Sequence, residues 1–172
     1  MKRLFVLMLF LAGTTYAQES QRFFVSITRD SNATAYASGD FVMATDSNFV
    51  QIVPEGDVDG RGRIVGAKIS VDTVNIANGN FRLFFLHDTT GLGKKKDNTL
   101  WAATQAEDSL IVGYTDFVLD TTGTATGSVA KDYNTGLAID FNGSGPLYAV
   151  LTATAAYTPK SAMKVYLTVW VE

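Results

Sequence analysis

The sequence predicts an all-β protein of antiparallel strands, a sandwich or a barrel, because its apolar residues recur at intervals of two almost everywhere along the chain. Turn signals separate the alternating segments at roughly 8–12 residues, the spacing of sandwiches and barrels. They include Ser38-Gly39-Asp40, Pro54-Glu55-Gly56-Asp57, Asn78-Gly79-Asn80, Thr121-Thr122-Gly123 and Asn142-Gly143-Ser144-Gly145-Pro146. Beyond the first residues, no window sustains a capped period of about 3.6. About eight to ten strands are expected on this spacing.

Phe23, Val25 and Ile27 recur at a period of two and open the series. Short strands are expected at Phe41–Ala44 and Phe49–Val53, followed by one in which Ala67, Ile69, Val71 and Thr73 alternate with Lys68, Ser70 and Asp72. Phe81–Leu86 breaks the alternation, with Leu83 and Phe85 on one face and Phe84 and Leu86 on the other. A strand apolar on both faces is expected to be central and covered on both sides. Leu100–Asp108 reads as one helical turn within a loop. Further strands are expected at Leu110–Leu119, Gly123–Ala130, Gly136–Phe141 and Leu147–Ala155. In the closing strand Met163, Val165, Leu167, Val169 and Val171 face the core, while Lys164, Tyr166, Thr168 and Trp170 face away.

The N-terminus reads as a secretory leader over residues 1–17: Lys2 and Arg3, an apolar run from Leu4 to Leu11, then Thr15-Tyr16-Ala17 ahead of Gln18. The run is shorter than the roughly 20 residues a membrane-spanning helix needs, so no permanent membrane insertion is expected. Residues 18–172 are then expected to form a single domain, a β-sandwich or barrel on the strand spacing above. With 47% hydrophobic residues, it has enough apolar surface for a sizeable core. There is no cysteine, so disulfides, thiolate nucleophiles and cysteine-ligated zinc are excluded. The net charge of −3, and the lack of a basic run with interleaved aromatics in the sequence, argue against nucleic acid as a partner.

Sites that could carry chemistry are few. His87, the single histidine, precedes Asp88 as a general-base pair would require, but adjacent strand residues point to opposite faces. Asp57-Val58-Asp59-Gly60, with Glu55 nearby, is a fragment of a calcium loop that lacks the third oxygen ligand and the closing glutamate. Gly91-Leu92-Gly93-Lys94 fails as a phosphate loop, since Asp88 stands where the first glycine belongs and Lys95 where Ser or Thr belongs. Lys94-Lys95-Lys96 reads as a solvated loop tip. Asn32-Ala33-Thr34 and Asn142-Gly143-Ser144 are sequons that matter only in a eukaryotic secretory pathway. Trp101, Trp170, Tyr148, Tyr157 and Tyr166 are candidates for a stacking platform or for packing against a neighbouring strand or subunit. No catalytic, cofactor-binding or metal-ligating residue is assigned.

Three segments carry a resemblance. Thr34-Ala35-Tyr36-Ala37-Ser38-Gly39-Asp40 forms a turn after a short strand, and Ala155-Ala156-Tyr157-Thr158-Pro159 follows Leu147-Tyr148-Ala149-Val150-Leu151-Thr152 before the last strand. Between them, Arg82-Leu83-Phe84-Phe85-Leu86 leads into a polar loop and Asp97-Asn98. Over Arg22–Glu172 the chain resembles a family of tailed-bacteriophage virion structural proteins. The resemblance implies a jelly-roll-like antiparallel β-sandwich that decorates a head or forms part of a tail or fibre. It also implies a homo-oligomer, most plausibly a trimer, that contacts other virion proteins and performs no catalysis. The leader departs from this pattern, and taken at face value it points to an exported bacterial β-sandwich, periplasmic or at the cell surface, that binds glycan or a surface partner. A small outer-membrane barrel also fits a leader followed by alternating strands, although a lipid-facing strand should not be apolar on both faces.

Overall fold

A computed structural model describes residues 20–29, 34–43, 49–54, 57, 61–72, 79–90, 92, 96–119, 130–142, 145–159 and 163–172, with the backbone alone for 130–133. Among the described residues there are eight strands: β1 (Gln21–Thr28), β2 (Val50–Val53), β3 (Arg61–Val71), β4 (Asn80–Leu86), β5 (Ile111–Val118), β6 (Ala130–Asn142), β7 (Leu147–Ala153) and β8 (Lys164–Val171). A single helical turn, α1 (Gln105–Asp108), interrupts the long connection from β4 to β5. It starts there because Thr104 accepts from the Glu107 N–H while the Glu107 carboxylate accepts from the Thr104 N–H, satisfying two otherwise orphaned donors.

The strands form two four-stranded sheets, in the orders β1-β8-β3-β6 and β2-β7-β4-β5. Neighbouring strands are antiparallel throughout, and β1 pairs with β8, β2 with β7, β3 with β6 and β4 with β5. Those four pairs are the pairs of one long hairpin whose tip is β4–β5. Rolled up so that its arms alternate between two layers, this hairpin is a jelly roll. Both sheets are open, with β1 and β6 as the edges of one and β2 and β5 as the edges of the other, so the described strands do not close into a barrel.

The period of two is what fills the interior. Met163, Val165, Leu167, Val169 and Val171 meet Ile64, Ala67, Ile69 and Val71 from the same sheet, and Phe81, Leu83, Phe85, Phe117 and Leu151 from the other, in one buried cluster. The doubly apolar β4 is interior to its sheet, as the sequence predicts. Its outward residues Phe84 and Leu86 belong to a second cluster with Phe41, Met43, Leu92, Trp101, Val150 and Tyr148, under the β4–β5 connection.

Some expected elements take another form. The strand expected at Phe41–Ala44 is reduced to isolated bridges, Asp40 to Leu100 and Phe41 to Thr152. The segment expected as Gly136–Phe141 belongs to the longer β6, which crosses a register shift against β3. Residues 123–129 of the strand expected at Gly123–Ala130 lie outside the described residues, as do the leader, Asn32, Glu55, Asp59, Gly91 and Lys94.

Candidate interaction surfaces and a buried polar node

Arg29 follows β1 and extends the inward series Phe23, Val25, Ile27, so the strand's alternation carries a guanidinium into the interior, where it is 2% exposed. It donates from Nη2 to Asp97 Oδ2 at 2.8 Å. Asp97 Oδ1 accepts from Tyr36 Oη at 2.6 Å and from the Met43 N–H at 3.1 Å. The guanidinium also lies over the Tyr36 ring, 4.6 Å from its centroid, and Tyr36 stacks on Tyr157 at 5.0 Å. Burial works against the charge on Arg29, but the hydrogen bond to Asp97 and the nearby Tyr36 and Asp97 oxygens outweigh it and hold the guanidinium above its ordinary pKa.

The three segments that carry the resemblance therefore meet at one node. Tyr36 N–H donates to Tyr157 O at 2.9 Å, and Ser38 Oγ donates to Thr154 O at 3.0 Å. The turn closes when the Ala37 N–H donates to Asp40 Oδ2 at 2.7 Å. Gly39 sits at φ +90, a conformation that side chains rarely adopt, which lets its N–H reach Ala153 O while its carbonyl accepts from Trp101 N–H. Asn98 takes the left-handed conformation at φ 58 that asparagine tolerates, so that its N–H reaches Phe41 O.

Burial raises the Tyr36 and Tyr157 hydroxyls above the ordinary tyrosine pKa, with further upward pushes on Tyr36 from Tyr157 and from Asp97. A folded-state pKa that is raised contributes stability that is whole while the unfolded tyrosine is neutral, below about pH 10, and is lost as pH rises beyond it. The melting temperature is thus expected to fall steeply above about pH 10. Tyr157 Oη is buried without a hydrogen-bond partner among the described residues. Tyr157→Phe should accordingly melt no lower than the parent and should soften the alkaline fall, whereas unchanged alkaline behaviour in both Tyr36→Phe and Tyr157→Phe would contradict this account.

The candidate chemical residues are dispersed. His87 is exposed just beyond β4, and Asp88 turns to its own loop, accepting from the Thr89 and Thr90 N–H groups and from Thr90 Oγ1. Those bonds, with those of Thr90 first, lower the Asp88 pKa. His87 lines a half-open cleft of about 520 Å³ with Arg61, Val112, Asp140, Phe141 and Asn142. Among the described residues that line it none carries a hydroxyl or thiol, and Asp140 is held by Arg63 at 2.7 Å. Asp57 is exposed, and no group of three or more metal-ligating side chains occurs among the described residues. Lys96 is exposed and Leu92 buried in the former phosphate-loop segment, while Asn142 is exposed at the end of β6.

The five aromatic candidates do not assemble into one platform. Tyr157 is in the core. Trp101 and Tyr148 pack with the second cluster outside the β2-β7-β4-β5 sheet, where Trp101 meets Phe84 edge-on at 4.7 Å and Phe84 meets Tyr114 at 5.8 Å. Leu100, Tyr114 and Val118 are 65%, 52% and 66% exposed on this side. Arg82 lies 4.1 Å from the Tyr114 ring centroid and is held there by two bonds to Asp116. Tyr166 and Trp170 stand on the outer face of the other sheet, beside Phe24, which is 56% exposed. Sequence reasoning passed over Arg29 and Phe24, although the alternation that placed Phe23, Val25 and Ile27 inward also assigns Arg29 to the inside and Phe24 to the outside. No helix among the described residues is long and apolar enough to cross a membrane. No protein-family model and no curated protein matches the chain.

Proposed function

We propose that this protein is a structural component of a tailed-bacteriophage virion, a head decoration or a tail or fibre part, that acts by self-assembly and surface display without catalysis. One observation carries the reading: the segments on which the resemblance rests converge on the Arg29–Tyr36–Asp97–Tyr157 node, so their shared residues brace a jelly roll. The exposed apolar series Leu100, Tyr114 and Val118 is the surface best suited to subunit contact, because large exposed apolar side chains cost least when covered by a partner. Assembly as a homo-oligomer, most plausibly a trimer, would bury it.

Mass spectrometry of purified virions of an associated phage is expected to detect this chain in many copies, and its first residue, Met1 or Gln18, reports whether the leader is removed. Absence from virions, with recovery from the periplasm or cell surface, would overturn the virion reading in favour of the exported sandwich. In light scattering, the parent is expected to be oligomeric and Tyr114→Glu with Val118→Glu to shift it to monomer.

A further inference from the structure

We propose that the free edge of β1 is a self-pairing surface, which adds antiparallel to β1 of a second copy and joins two four-stranded sheets into one. The joined sheet would run β6-β3-β8-β1 and then β1-β8-β3-β6 of the partner subunit, a width that open sheets reach.

Half of the β1 backbone has no strand to pair with. Arg29 N–H donates to Met163 O toward β8, whereas Lys164 O accepts from Asp72 N–H and so turns toward β3. These directions alternate along an antiparallel pair: the backbone groups of Gln21, Phe23, Val25 and Ile27 turn to β8, and those of Arg22, Phe24, Ser26 and Thr28 turn outward, where no described strand lies. Such an edge is a template for another strand unless it is short, bulged, charged or covered. The other three edges are guarded. β2 has four residues and an irregular register against β7, and β6 carries a register shift against β3 and a left-handed Gly136 at φ 74. β5 and β6 close on each other: Asn134 Nδ2 donates to Thr115 Oγ1, and a Cβ on Gly113 would be 2.8 Å from Ile139 Cγ2. β1 has none of these devices. Its register with β8 is uninterrupted from Gln21 to Thr28, it contains no proline or lysine, and its single charge is Arg22 near the start.

The sequence of the strand selects a second copy as the occupant. A two-fold axis at Val25 sets Val25 against its counterpart and Phe23 against Ile27 on the inner face, with Phe24 against Ser26 and Arg22 against Thr28 on the outer face. Every inner pair is apolar, and Phe23 and Val25, only partly buried at the open edge, gain cover. Phe24, 56% exposed, gains a lateral neighbour. A slip of one residue would turn the apolar series to the outer face, and a slip of two would set Gln21 against Ile27 or Arg29 against Phe23. The two Arg22 residues stand about 20 Å apart along the pair, well beyond the roughly 8 Å screening length at physiological salt, so like charges do not oppose the contact. A single strand pair falls below the roughly 1,200 Å² of a stable interface. The contact therefore forms in concentrated solution, or between copies already gathered in an assembly, and not between dilute subunits.

The sequence has no cysteine, so Val25→Cys in the full-length protein introduces a single thiol. Across the paired edges these thiols sit on a non-hydrogen-bonded pair with Cα atoms about 4.5 Å apart, within reach of a disulfide. Those of Phe24→Cys would stand beyond the limit of about 7 Å, although Phe24 is the more exposed site. In concentrated solution with oxidised glutathione, Val25→Cys is expected to run as a disulfide-linked dimer on a non-reducing gel, and Phe24→Cys to stay largely monomeric. Adding Ser26→Pro should abolish the Val25→Cys dimer while the β-type circular dichroism spectrum and cooperative melting persist, since the Ser26 N–H turns outward from β8. Phe24→Lys leaves the backbone as it is and should lower the dimer yield as edge lysines do. No dimer from Val25→Cys, as much or more from Phe24→Cys, or a yield that Phe24→Lys does not change would each overturn the proposal. The variant carrying Tyr114→Glu and Val118→Glu keeps β1 and should cross-link alike, so the edge contact and the virion reading fail separately.

Discussion

Replacing Phe85 by alanine is expected to destabilise the protein by about 3–5 kcal/mol, the usual cost of emptying a fully buried phenylalanine site. Phe85 has no exposed surface and lies on β4, between β7 and β5, in the cluster where the two sheets meet. Its neighbours across the strands are Ala149 and Gly113, too small to move into the void. The loss is a large fraction of the roughly 5–15 kcal/mol that holds a domain together. The melting temperature should therefore fall by many degrees, with the β-type circular dichroism spectrum retained below the transition. Phe84→Ala, on the half-buried outer face of the same strand, should cost less because that site is open to solvent on one side. Equal effects of the two substitutions would mean that the inner and outer faces of β4 are misassigned.

Asp97→Ala should be of similar size, about 3–5 kcal/mol, because it leaves a buried guanidinium without its carboxylate. The Arg29 and Asp97 side chains are 0% and 5% exposed, so solvent cannot replace the lost partner. The same substitution strips the acceptor from Tyr36 Oη and from the Met43 N–H, which unties the turn at residues 34–40 from the loop at 96–101. Removing both charges with Arg29→Met and Asp97→Leu should recover part of the loss, as apolar replacement of a buried ion pair commonly does, but not the part due to Tyr36 and Met43. A chemical-denaturation series over the three variants measures both terms. If Asp97→Ala were no less stable than the parent, the node would not brace the fold, and the structural account of the shared segments would fall with it.

The strand periodicity was legible because it is local. A side chain two residues along a strand must return to the same face, so the interior of β8, the doubly covered β4 and the single turn of α1 could all be read before any contact was known. The two aromatic turns could also be recognised as segments. That they touch could not, since Tyr36 and Tyr157 are brought together only when β1 and β7 have been assigned to different sheets. The tyrosines were candidates for display in the sequence, and the fold put Tyr157 in the core, Tyr148 under a loop and Tyr166 on an open face. Residue type is the same in all three cases; what differs is which strand lies alongside.

By itself the sequence determined that this chain is all-β and without disulfides, and which residues of β1, β3 and β8 share a face. The tertiary structure alone decided the nesting of β1 with β8, β2 with β7, β3 with β6 and β4 with β5. It also decided the burial of Arg29 against Asp97 and the gathering of Arg22, Phe24, Lys68, Lys164, Tyr166 and Trp170 on one face. The reason is physical: alternation is imposed by the geometry of a single strand, whereas pairing between strands far apart in sequence depends on which long loops close and which surfaces then bury together.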